Sequence, residues 1–514
     1  MISDLVRSLV ARVATVGVKA DPLSVAIAAV GGLVVALFVV PNLPTKHGIP
    51  GPFRLPIAGN ALALAKYANT GKSHELFHQY FTKYGAVFSL SAFGVLILAV
   101  RDPVLIHRAL TDTTSFRRSE RAGQRVPDII GEALFVLPSG EQWKRHRKQL
   151  QPAFAPLQLR NAATVIDPVV GKLADYFTDL AAKHDGSATV NIYSEFTALT
   201  FDLIGVIGFS FNLDAIKSLH EGTANESFEI LEDVPIIFQQ RVFRPPSTWE
   251  HHGIGLKSPR PLRVRKFLDD LFGRVIEERH AANSRAREPK DPKTMDVLDR
   301  LLLGSEELGT FTKNEVIGEM AAFFLAGHET TANTLTLLMM ELSRNPEIQE
   351  RLYTENKTTL ASLKEGLTAE NLHEFKYLDF VVKESQRLHA VVGRVGRQTT
   401  RDIDYNGRII PAGTNLMLAF NEAHRDPKYW PAPERFNPDR WDGLKPHPGS
   451  FVPFGDGPMN CIGQKLALIE IKMTIIRLIE RFRIALVPGQ DLSYVTTITT
   501  GLKHGLRVAL TPRI

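Results

Sequence analysis

The segment from Thr312 to Ser343 has few polar interruptions and constrains the fold more than any other part of the chain. Thr312 and Glu315 have the spacing of a capping box, and Pro346 stands just beyond the end, so the sequence predicts one long helix. At 1.5 Å per residue, its roughly 30 residues would extend about 45 Å, the width of a whole domain. Such a helix must cross the core of the protein.

The middle of this predicted helix, residues 326–331, reads Ala-Gly-His-Glu-Thr-Thr. An acid and two hydroxyls beside a helix-weakening glycine are unusual in a buried helix. One interpretation is a kinked core helix in which the Thr330 hydroxyl bonds to the carbonyl four residues earlier. The other is a local opening of the helix where oxygen and water can sit. The helix alone leaves both open, and His328 is predicted to be structural.

Cys461 is the only cysteine in 514 residues, so no disulfide within the chain can stabilise the fold. It lies in a loop rich in glycine and proline, from Phe451 to Gly463, and an apolar helical pattern begins directly after that loop. A small buried hydrophobe is the ordinary role of a lone cysteine. Before a helix start, however, backbone N–H groups and the helix dipole are expected to lower the thiol pKa, which favours binding of a metal.

The cysteine loop carries a family resemblance. Phe454, Gly457, Cys461 and Gly463 match the Phe-x-x-Gly-x-Arg-x-Cys-x-Gly haem loop, and the chain resembles the cytochrome P450 superfamily, in particular its microsomal members. Met459 departs from the pattern, because relatives place an arginine or histidine there to pair with a haem propionate. The resemblance implies a haem b cofactor with Cys461 as its axial thiolate ligand.

The same resemblance assigns roles on the predicted long helix. It implies that Thr330 holds dioxygen by a hydrogen bond and that Glu329 helps to relay protons. In one branch of the family, a glutamate just before the glycine forms an ester with the haem, whereas this chain has Ala326 there. We therefore expect the haem to be held without a covalent link at that position.

Three further residues resemble the groups that hold haem propionates in the family. Trp143 and Arg147 are four residues apart, on one predicted helical face, and match a Trp-x-x-x-Arg pair. Arg397, ten residues after Arg387, matches another propionate-binding position. These donors are expected to compensate for Met459.

A Glu-x-x-Arg spacing and a downstream arginine resemble the structural triad of the family. Glu384 and Arg387 share a face of a predicted helix, although alone they indicate no more than a surface ion pair. Arg435, in the string Pro-Glu-Arg-Phe, is expected to complete a buried network that supports the haem loop.

Elsewhere the pattern is mostly helical, with β-hairpin signals at 87–100 and around Asn406-Gly407. The predicted fold is mainly α with a small β region (α+β), and the resemblance implies the cytochrome P450 fold with a long central helix crossing over the haem. Residues 57–514 are expected to form this haem domain.

The N-terminal region is predicted to attach the protein to a membrane. Residues 1–21 read as an amphipathic segment, 22–40 as a transmembrane helix and 41–56 as a proline-rich hinge. A mitochondrial transit peptide is the alternative, against which Asp4 and the apolar span argue. Charges on the two sides nearly balance, so the resemblance alone implies a single-pass anchor in the endoplasmic reticulum with the catalytic domain facing the cytosol.

A net charge of +6 without basic residues interleaved with stacking aromatics gives no indication of nucleic acid binding. The chain ends with the haem domain, so electrons are expected from a separate protein, which the resemblance implies is NADPH-cytochrome P450 reductase or a similar donor. A cationic face on the thiolate side of the haem is predicted to attract this electron donor. The face would be formed by Lys144, Arg145, His146, Lys148, Lys465 and Lys472.

The function that these motifs imply is that of a haem-thiolate monooxygenase acting on a small apolar substrate. One alternative is a haem-thiolate isomerase or peroxygenase that needs no reductase, against which the presence of Glu329 and Thr330 argues. Another is a haem-binding sensor without turnover, for which the proton-relay pair would be unnecessary.

Overall fold

The structure is a computed structural model that describes residues 30–33, 48–118, 127–231, 233–242, 248–255, 257–285 and 291–513. The predicted amphipathic segment 1–21, most of the predicted span 22–40 and residues 41–47 of the predicted hinge lie outside these ranges. The described chain is mainly helical with several small sheets, as the sequence predicts.

The helices are, in chain order, α1 Ala61–Asn69, α2 Ser73–Tyr84, α3 Pro103–Thr111, α4 Pro127–Ile130, α5 Glu141–Leu150, α6 Pro156–Lys183, α7 Ile192–Phe209, α8 Ala215–Glu221, α9 Glu226–Leu231, α10 Asp233–Val242, α11 Pro259–Arg285, α12 Val297–Glu306, α13 Lys313–Arg344, α14 Pro346–Ser362, α15 Lys376–Leu388, α16 Phe420–Ala423 and α17 Gln464–Arg481.

The strands are β1 Val87–Ala92, β2 Val95–Val100, β3 Phe116–Arg117, β4 Ala188–Asn191, β5 Arg394–Thr399, β6 Ile403–Tyr405, β7 Arg408–Ile410, β8 Asn415–Ala419, β9 Phe482–Leu486, β10 Tyr494–Thr496, β11 Thr500–Leu502 and β12 Arg507–Pro512. The largest sheet has the order β1-β2-β8-β5-β3, in which β2 and β8 are parallel. A second sheet has the order β4-β12-β9, and β6–β7 and β10–β11 form separate two-stranded ribbons.

Both predicted hairpins are present. β1 and β2 pair in register from Val87–Val100 to Ala92–Val95, and Gly94 at the turn has a φ of +78°. Asn406 and Gly407 connect β6 to β7 with φ values of +53° and +74°. Two successive positive φ angles are what a tight type I′ turn requires, and asparagine and glycine adopt them most readily.

The predicted long helix is α13, which has 32 residues and therefore extends about 48 Å. Its capping box is formed as predicted: the Glu315 N–H donates to Thr312 Oγ1 over 3.2 Å, and the Thr312 N–H donates to Glu315 Oε2 over 2.7 Å. Residues of α13 belong to both large hydrophobic clusters, one with α6, α15 and α17 and one with α11 and α12. The helix therefore crosses the core.

Among the described residues, one helix is long and apolar enough to cross a bilayer, and it is α7. Most of α7 is buried, and it packs along α13. A core helix satisfies the same criterion of length and composition, and the burial of α7 identifies it as one.

Candidate active site

The cysteine loop is held by backbone geometry and by two side chains. The Cys461 N–H donates to the Phe454 carbonyl over 2.9 Å, which closes the loop at its base. Asp456 accepts from the Gly457 N–H over 2.7 Å and contacts His107 Nδ1 of α3 at 2.9 Å. The loop is therefore fixed to α3 immediately before α17 begins at Gln464.

The two motif glycines have different local surroundings. Gly457 has a φ of +66°, and a Cβ there would lie 2.3 Å from the Leu110 carbonyl oxygen, so only glycine fits. Gly463 has a negative φ, and its nearest neighbour, Phe154, would lie 3.9 Å from an added Cβ. The described protein atoms therefore do not require glycine at 463, and this position leaves room for close approach of a flat ligand.

Cys461 is accessible although it lies deep in the protein, so its sulfur faces an internal space. Burial raises the pKa of the Cys461 thiol, and the Gly463 and Gln464 N–H groups and the Arg147 charge offset the rise only partly. The expected lowering of this pKa is therefore wrong for the protein without bound metal, because desolvation outweighs the helix start. A coordinating metal removes the proton directly, whatever the pKa of the free thiol.

Cationic side chains converge near this loop. Arg147 of α5 donates to the Asn460 carbonyl over 2.9 Å and to Asn460 Oδ1 over 3.0 Å, directly beside the cysteine. Trp143, one turn earlier, is buried. Arg397 of β5 is buried and donates to its neighbour Gly396, and burial lowers its pKa to about 10.

Arg118 is a member of this cluster that the sequence did not reveal. Its Nη1 donates to the carbonyls of Leu134 and Leu137 over 2.8 and 3.0 Å. Its pKa falls to about 9, first because of burial and then because of the charges of Arg397 and Arg147. No motif marks Arg118, because it approaches the other two arginines only through the tertiary fold.

The cation cluster fits the cofactor that the loop implies. Arg118, Arg147 and Arg397 form no ion pair with a carboxylate of the described residues, although buried charges are normally paired. Met459 adds no charge, and its sulfur lies 3.4 Å from Ser139 Oγ. A thiol accessible from an internal space and three unneutralised guanidinium groups suit a haem with two propionates.

The central turn of α13 is accessible, unlike the rest of the helix core. Ala326 is exposed, and Gly327, Glu329 and Thr330 are partly exposed, although most of α13 on either side is buried. The Thr330 hydroxyl donates to the Ala326 carbonyl over 2.7 Å, which is the hydrogen bond of the structural alternative. From residue 313 to 344 the helix is continuous, so the alternative interpretation, a local opening of the helix, is not formed.

His328 is buried, as its predicted structural role requires. Its Nδ1 lies 2.6 Å from the Phe324 carbonyl, and its ring packs edge-on against Phe201. Burial lowers the pKa of His328 to about 4, so the ring is neutral at physiological pH. It is a structural residue of the α7–α13 contact.

Glu329 contacts a residue that the sequence analysis missed. Thr499, in the tight turn between β10 and β11, donates its hydroxyl proton to Glu329 Oε1. Asn333, one turn beyond Glu329 on α13, donates to Thr499 Oγ1 over 3.4 Å. The 170 positions between Glu329 and Thr499 explain why no local pattern predicted the pair.

Comparison with known proteins identifies the family. The family model described as Cytochrome P450 matches residues 49–501. The chain belongs to the cytochrome P450 family. It is 29% identical to Cytochrome P450 3A14 of Cavia porcellus over 85% of each chain, and 26% identical to Cytochrome P450 4d2 of Drosophila melanogaster over 90% of this chain and 94% of the relative. It is 27% identical to Lithocholate 6-beta-hydroxylase of Mesocricetus auratus, over 85% of each chain.

Cytochromes P450 are monooxygenases that hold haem b through a cysteine thiolate, and Cys461 is the only cysteine available here. In this cytochrome P450, the Glu384–Arg387 pair of α15 is fully buried, with Arg387 Nε and Nη2 each 2.9 Å from a Glu384 oxygen. Arg387 also donates to the Pro433 carbonyl over 2.7 Å.

The third arginine of this network is Arg440, which corrects the expectation for Arg435. Arg440 Nε donates to Glu384 Oε1 over 2.9 Å, and Trp441 Nε1 donates to Oε2 over 3.0 Å. The Arg435 side chain is exposed, and this residue contributes its backbone carbonyl, which accepts from Arg387 and Arg440. The string Pro-Asp-Arg-Trp at 438–441 repeats the Pro-x-Arg-aromatic spacing of 433–436 and was the available signal.

The predicted cationic face is smaller than expected. His146 is fully buried, with Nδ1 2.6 Å from Glu319 Oε1 and Nε2 3.2 Å from Glu315 Oε1. Lys472 pairs with Asp379 at 3.0 Å, and Arg145 pairs with Glu315 at 2.9 Å. Lys144 pairs with Glu141 at 2.7 Å, although both side chains are exposed. What remains is a surface groove of about 610 Å³ beside the cysteine loop, whose lining includes Lys144 and the exposed Lys148 and Lys465.

Proposed function

We propose that this cytochrome P450 is a membrane-attached monooxygenase that inserts one oxygen atom of O2 into an apolar organic substrate, with electrons from an NADPH-dependent reductase. The observation that carries the proposal is the central turn of α13, where an accessible acid and an accessible hydroxyl, Glu329 and Thr330, interrupt an otherwise buried helix. A haem-binding sensor has no use for such a pair.

The chain's own residues divide the work. Bound haem with its thiolate ligand supplies the redox chemistry that activates dioxygen. The haem propionates would be held by Trp143 and Arg147 of α5, Arg397 of β5 and Arg118. The loop that presents Cys461 is shaped by Phe454, Gly457 and Gly463. Glu384, Arg387 and Arg440 fix the chain that leads into that loop.

Glu329 and Thr330 manage protons and dioxygen. The Thr330 oxygen donates its proton to the Ala326 carbonyl and keeps its acceptor capacity. In the proposed reaction this hydroxyl turns to hold dioxygen, and Glu329 replaces the protons consumed there. Both roles need groups that water can reach, and both residues are partly exposed.

An apolar substrate suits the neighbourhood of this turn. Ala326 presents a methyl group, and the Ile204 side chain approaches so closely that a Cβ at Gly327 would lie 2.7 Å from it. Because apolar surface is favourably removed from water, a substrate of matching character would be retained here. The relative named for hydroxylating lithocholate supports hydroxylation as the reaction type.

Exposed apolar side chains support membrane attachment. Ile57 is 85% exposed with a φ of +60°, and Phe93, 48% exposed with a φ of +48°, lies beside it because its N–H donates to the Ala58 carbonyl. Phe53 and Leu62 nearby are also exposed. A left-handed conformation costs a residue with a side chain roughly 1–2 kcal/mol. A bilayer would stabilise this tip, and with the apolar segment 22–40 it supports a single-pass membrane anchor. The similarity to microsomal relatives supports the endoplasmic reticulum as the location, with the catalytic domain facing the cytosol.

The groove beside the cysteine loop supports an acidic electron donor. The groove places Lys148 and Lys465 beside Arg147, which donates to Asn460, the residue before Cys461. Complementary charge raises the encounter rate of partners, and salt screens it. We therefore assign the groove to NADPH-cytochrome P450 reductase or a similar donor.

The function is tested by turnover with NADPH and reductase, measured as product and hydrogen peroxide per NADPH for the wild type and for Thr330→Ala. The monooxygenase predicts NADPH-dependent product in the wild type and a shift to peroxide in the variant. Thr336→Ala is the matched control, because its hydroxyl donates to the Ala332 carbonyl over 2.8 Å in the same helix but in a fully buried turn. Turnover without an electron donor would favour the isomerase or peroxygenase, and inertness of all variants would favour the sensor.

A further inference from the structure

The β10–β11 ribbon contacts the acid of the central turn from a distant part of the chain. Among the described residues it pairs with no other strand, and an isolated two-stranded ribbon is marginally stable at best. Contacts beside its turn fix it instead: the Thr496 N–H donates to the Gly71 carbonyl over 2.8 Å, and the Thr500 N–H donates to the Val391 carbonyl over 2.8 Å. These two hydrogen bonds hold the ribbon between the segment at Gly71 and the segment at Val391.

The ribbon is pressed closely against α13. A Cβ at Gly501 would lie 2.2 Å from Asn333 Oδ1, so glycine allows β11 to approach the helix. Asn333 and Glu329 are four residues apart and therefore share a face of α13. Thr499 in the turn contacts both side chains and is itself buried.

The direction of these hydrogen bonds follows from the chemistry of the groups. A threonine hydroxyl has one proton to donate and two lone pairs to accept with. The Asn333 amide donates to Thr499 Oγ1, and the hydroxyl proton of Thr499 is directed to the Glu329 carboxylate. Glutamate has three side-chain torsions, so an anchored oxygen strongly restricts where its carboxyl can lie.

We infer that Thr499 is a positioning residue for proton delivery: from the β10–β11 turn it holds the Glu329 carboxyl at the central turn of α13 and thereby sets how often reduced dioxygen is released as peroxide. This inference rests on the proposed function, because it concerns the same acid. Two electrons and two protons convert O2 to hydrogen peroxide. With substrate, the same two electrons and two protons give one water and one oxygen atom inserted into the substrate, and without substrate four electrons and four protons give two waters. NADPH supplies the electrons through the reductase, and both channels that form water require protons at the correct oxygen atom. A misplaced acid therefore increases the peroxide share.

The test uses the full-length, haem-loaded protein in lipid with reductase, NADPH and O2. The peroxide-to-water ratio is measured without organic substrate and again with lauric acid as the probe, so the readout does not depend on knowing the natural substrate. Thr499→Val keeps the shape and removes the hydroxyl. We expect the peroxide-to-water ratio of Thr499→Val to rise about tenfold, equivalent to about 1.4 kcal/mol. Thr499→Ser, which keeps a hydroxyl at this position, should have the wild-type ratio.

Thr496→Val is the matched control, because it removes a hydroxyl from the same ribbon. Its Oγ1 lies 3.2 Å from Thr500 Oγ1 and 3.1 Å from His74 Nδ1. We expect Thr496→Val to keep the wild-type ratio. If it raises the ratio as much as Thr499→Val does, the effect comes from the integrity of the ribbon and the inference is overturned.

Two further measurements separate the possible failures. In a Glu329→Gln background, Thr499→Val should add nothing to the ratio, and an additive effect would contradict the inference. A crystal structure of Thr499→Val should show the Glu329 carboxyl displaced, and an unmoved carboxyl would overturn the inference whatever the turnover. If Thr330→Ala releases peroxide and Thr499→Val behaves as the wild type, the proposed function stands alone. If neither changes the ratio, the proposed function itself fails.

Discussion

Replacing Arg440 tests whether this residue, and not Arg435, completes the buried hydrogen-bond network around Glu384. Glu384 is fully buried and accepts hydrogen bonds from Arg387, from Arg440 Nε at 2.9 Å, from Trp441 Nε1 at 3.0 Å and from the Asn437 N–H at 2.9 Å. The Arg440 side chain is one-tenth exposed. Its loss would leave a buried carboxylate with one guanidinium instead of two.

The expected magnitude follows from this burial. Removing one partner of a buried ion pair costs about 3–5 kcal/mol, and because Arg387 remains bound to Glu384, we expect Arg440→Ala to lie near the lower limit, about 3 kcal/mol. Arg440 also donates to the Pro431 carbonyl over 2.9 Å, so the Pro431–Trp441 segment should loosen as well. Arg440→Lys keeps the charge but loses the planar fork, and an intermediate loss is expected.

The assay is chemical unfolding of the haem-loaded protein followed by the haem absorption band and by tryptophan fluorescence. Arg435→Ala is the matched control: the same residue type, five positions away, with an exposed side chain. An exposed substitution away from such features normally changes stability by less than about 0.5 kcal/mol. If Arg435→Ala destabilises the protein as much as Arg440→Ala, the assignment of the third arginine is wrong.

Three other outcomes are expected. Gly457→Ala should destabilise the cysteine loop by about 2 kcal/mol or more, because φ is +66° and a Cβ would meet the Leu110 carbonyl. Gly455→Ala, at a similar φ but with Asn460 Cα at an unstrained 3.7 Å from the added Cβ, should cost about 1–2 kcal/mol. Equal losses in thermal unfolding would contradict the clash. Arg118→Gln should accelerate haem transfer to an apoprotein scavenger about tenfold, because a charge-assisted contact of roughly 1.5 kcal/mol is lost. Arg117→Gln, a substitution of the exposed neighbouring residue, should leave the transfer rate unchanged. Equal transfer rates for the two variants would remove Arg118 from the propionate site. Burial raises the pKa of Glu470 in α17 to about 8. Between about pH 4.5 and 8 unfolding therefore releases a proton, and the free energy of unfolding falls by up to roughly 1.4 kcal/mol for each unit by which the pH rises. Urea unfolding at several pH values should show a flatter pH dependence for Glu470→Gln, and an unchanged slope would refute the burial argument.

The elements that depend on residues close together in the sequence were predicted correctly. The Thr312–Glu315 capping box, the Asn406-Gly407 turn and the length of α13 each depend on residues a few positions apart, and all three are present. Cys461 and Gly457 likewise identified the loop. Few residue types can replace a thiolate ligand, and few other than glycine adopt the positive φ of Gly457.

The remaining features depend on which distant segments meet. Two Pro-x-Arg-aromatic strings stand five residues apart, and only the packing around Glu384 selects Arg440 over Arg435. His146 belongs to a basic segment in sequence, yet the packing of α5 on α13 buries it between Glu315 and Glu319. Arg118 and Thr499 carry no motif at all. The thiol of Cys461 shows the same limit, because its desolvation exceeds the effect of the helix start that the sequence reveals.

The central claim is that Cys461, the only cysteine of the chain, ligates haem iron through its sulfur. X-ray absorption at the iron edge of the purified, haem-loaded protein tests it most directly. We predict one sulfur scatterer in the first shell of the wild type and its loss in Cys461→Ser. A wild-type spectrum with nitrogen and oxygen scatterers alone would contradict the account.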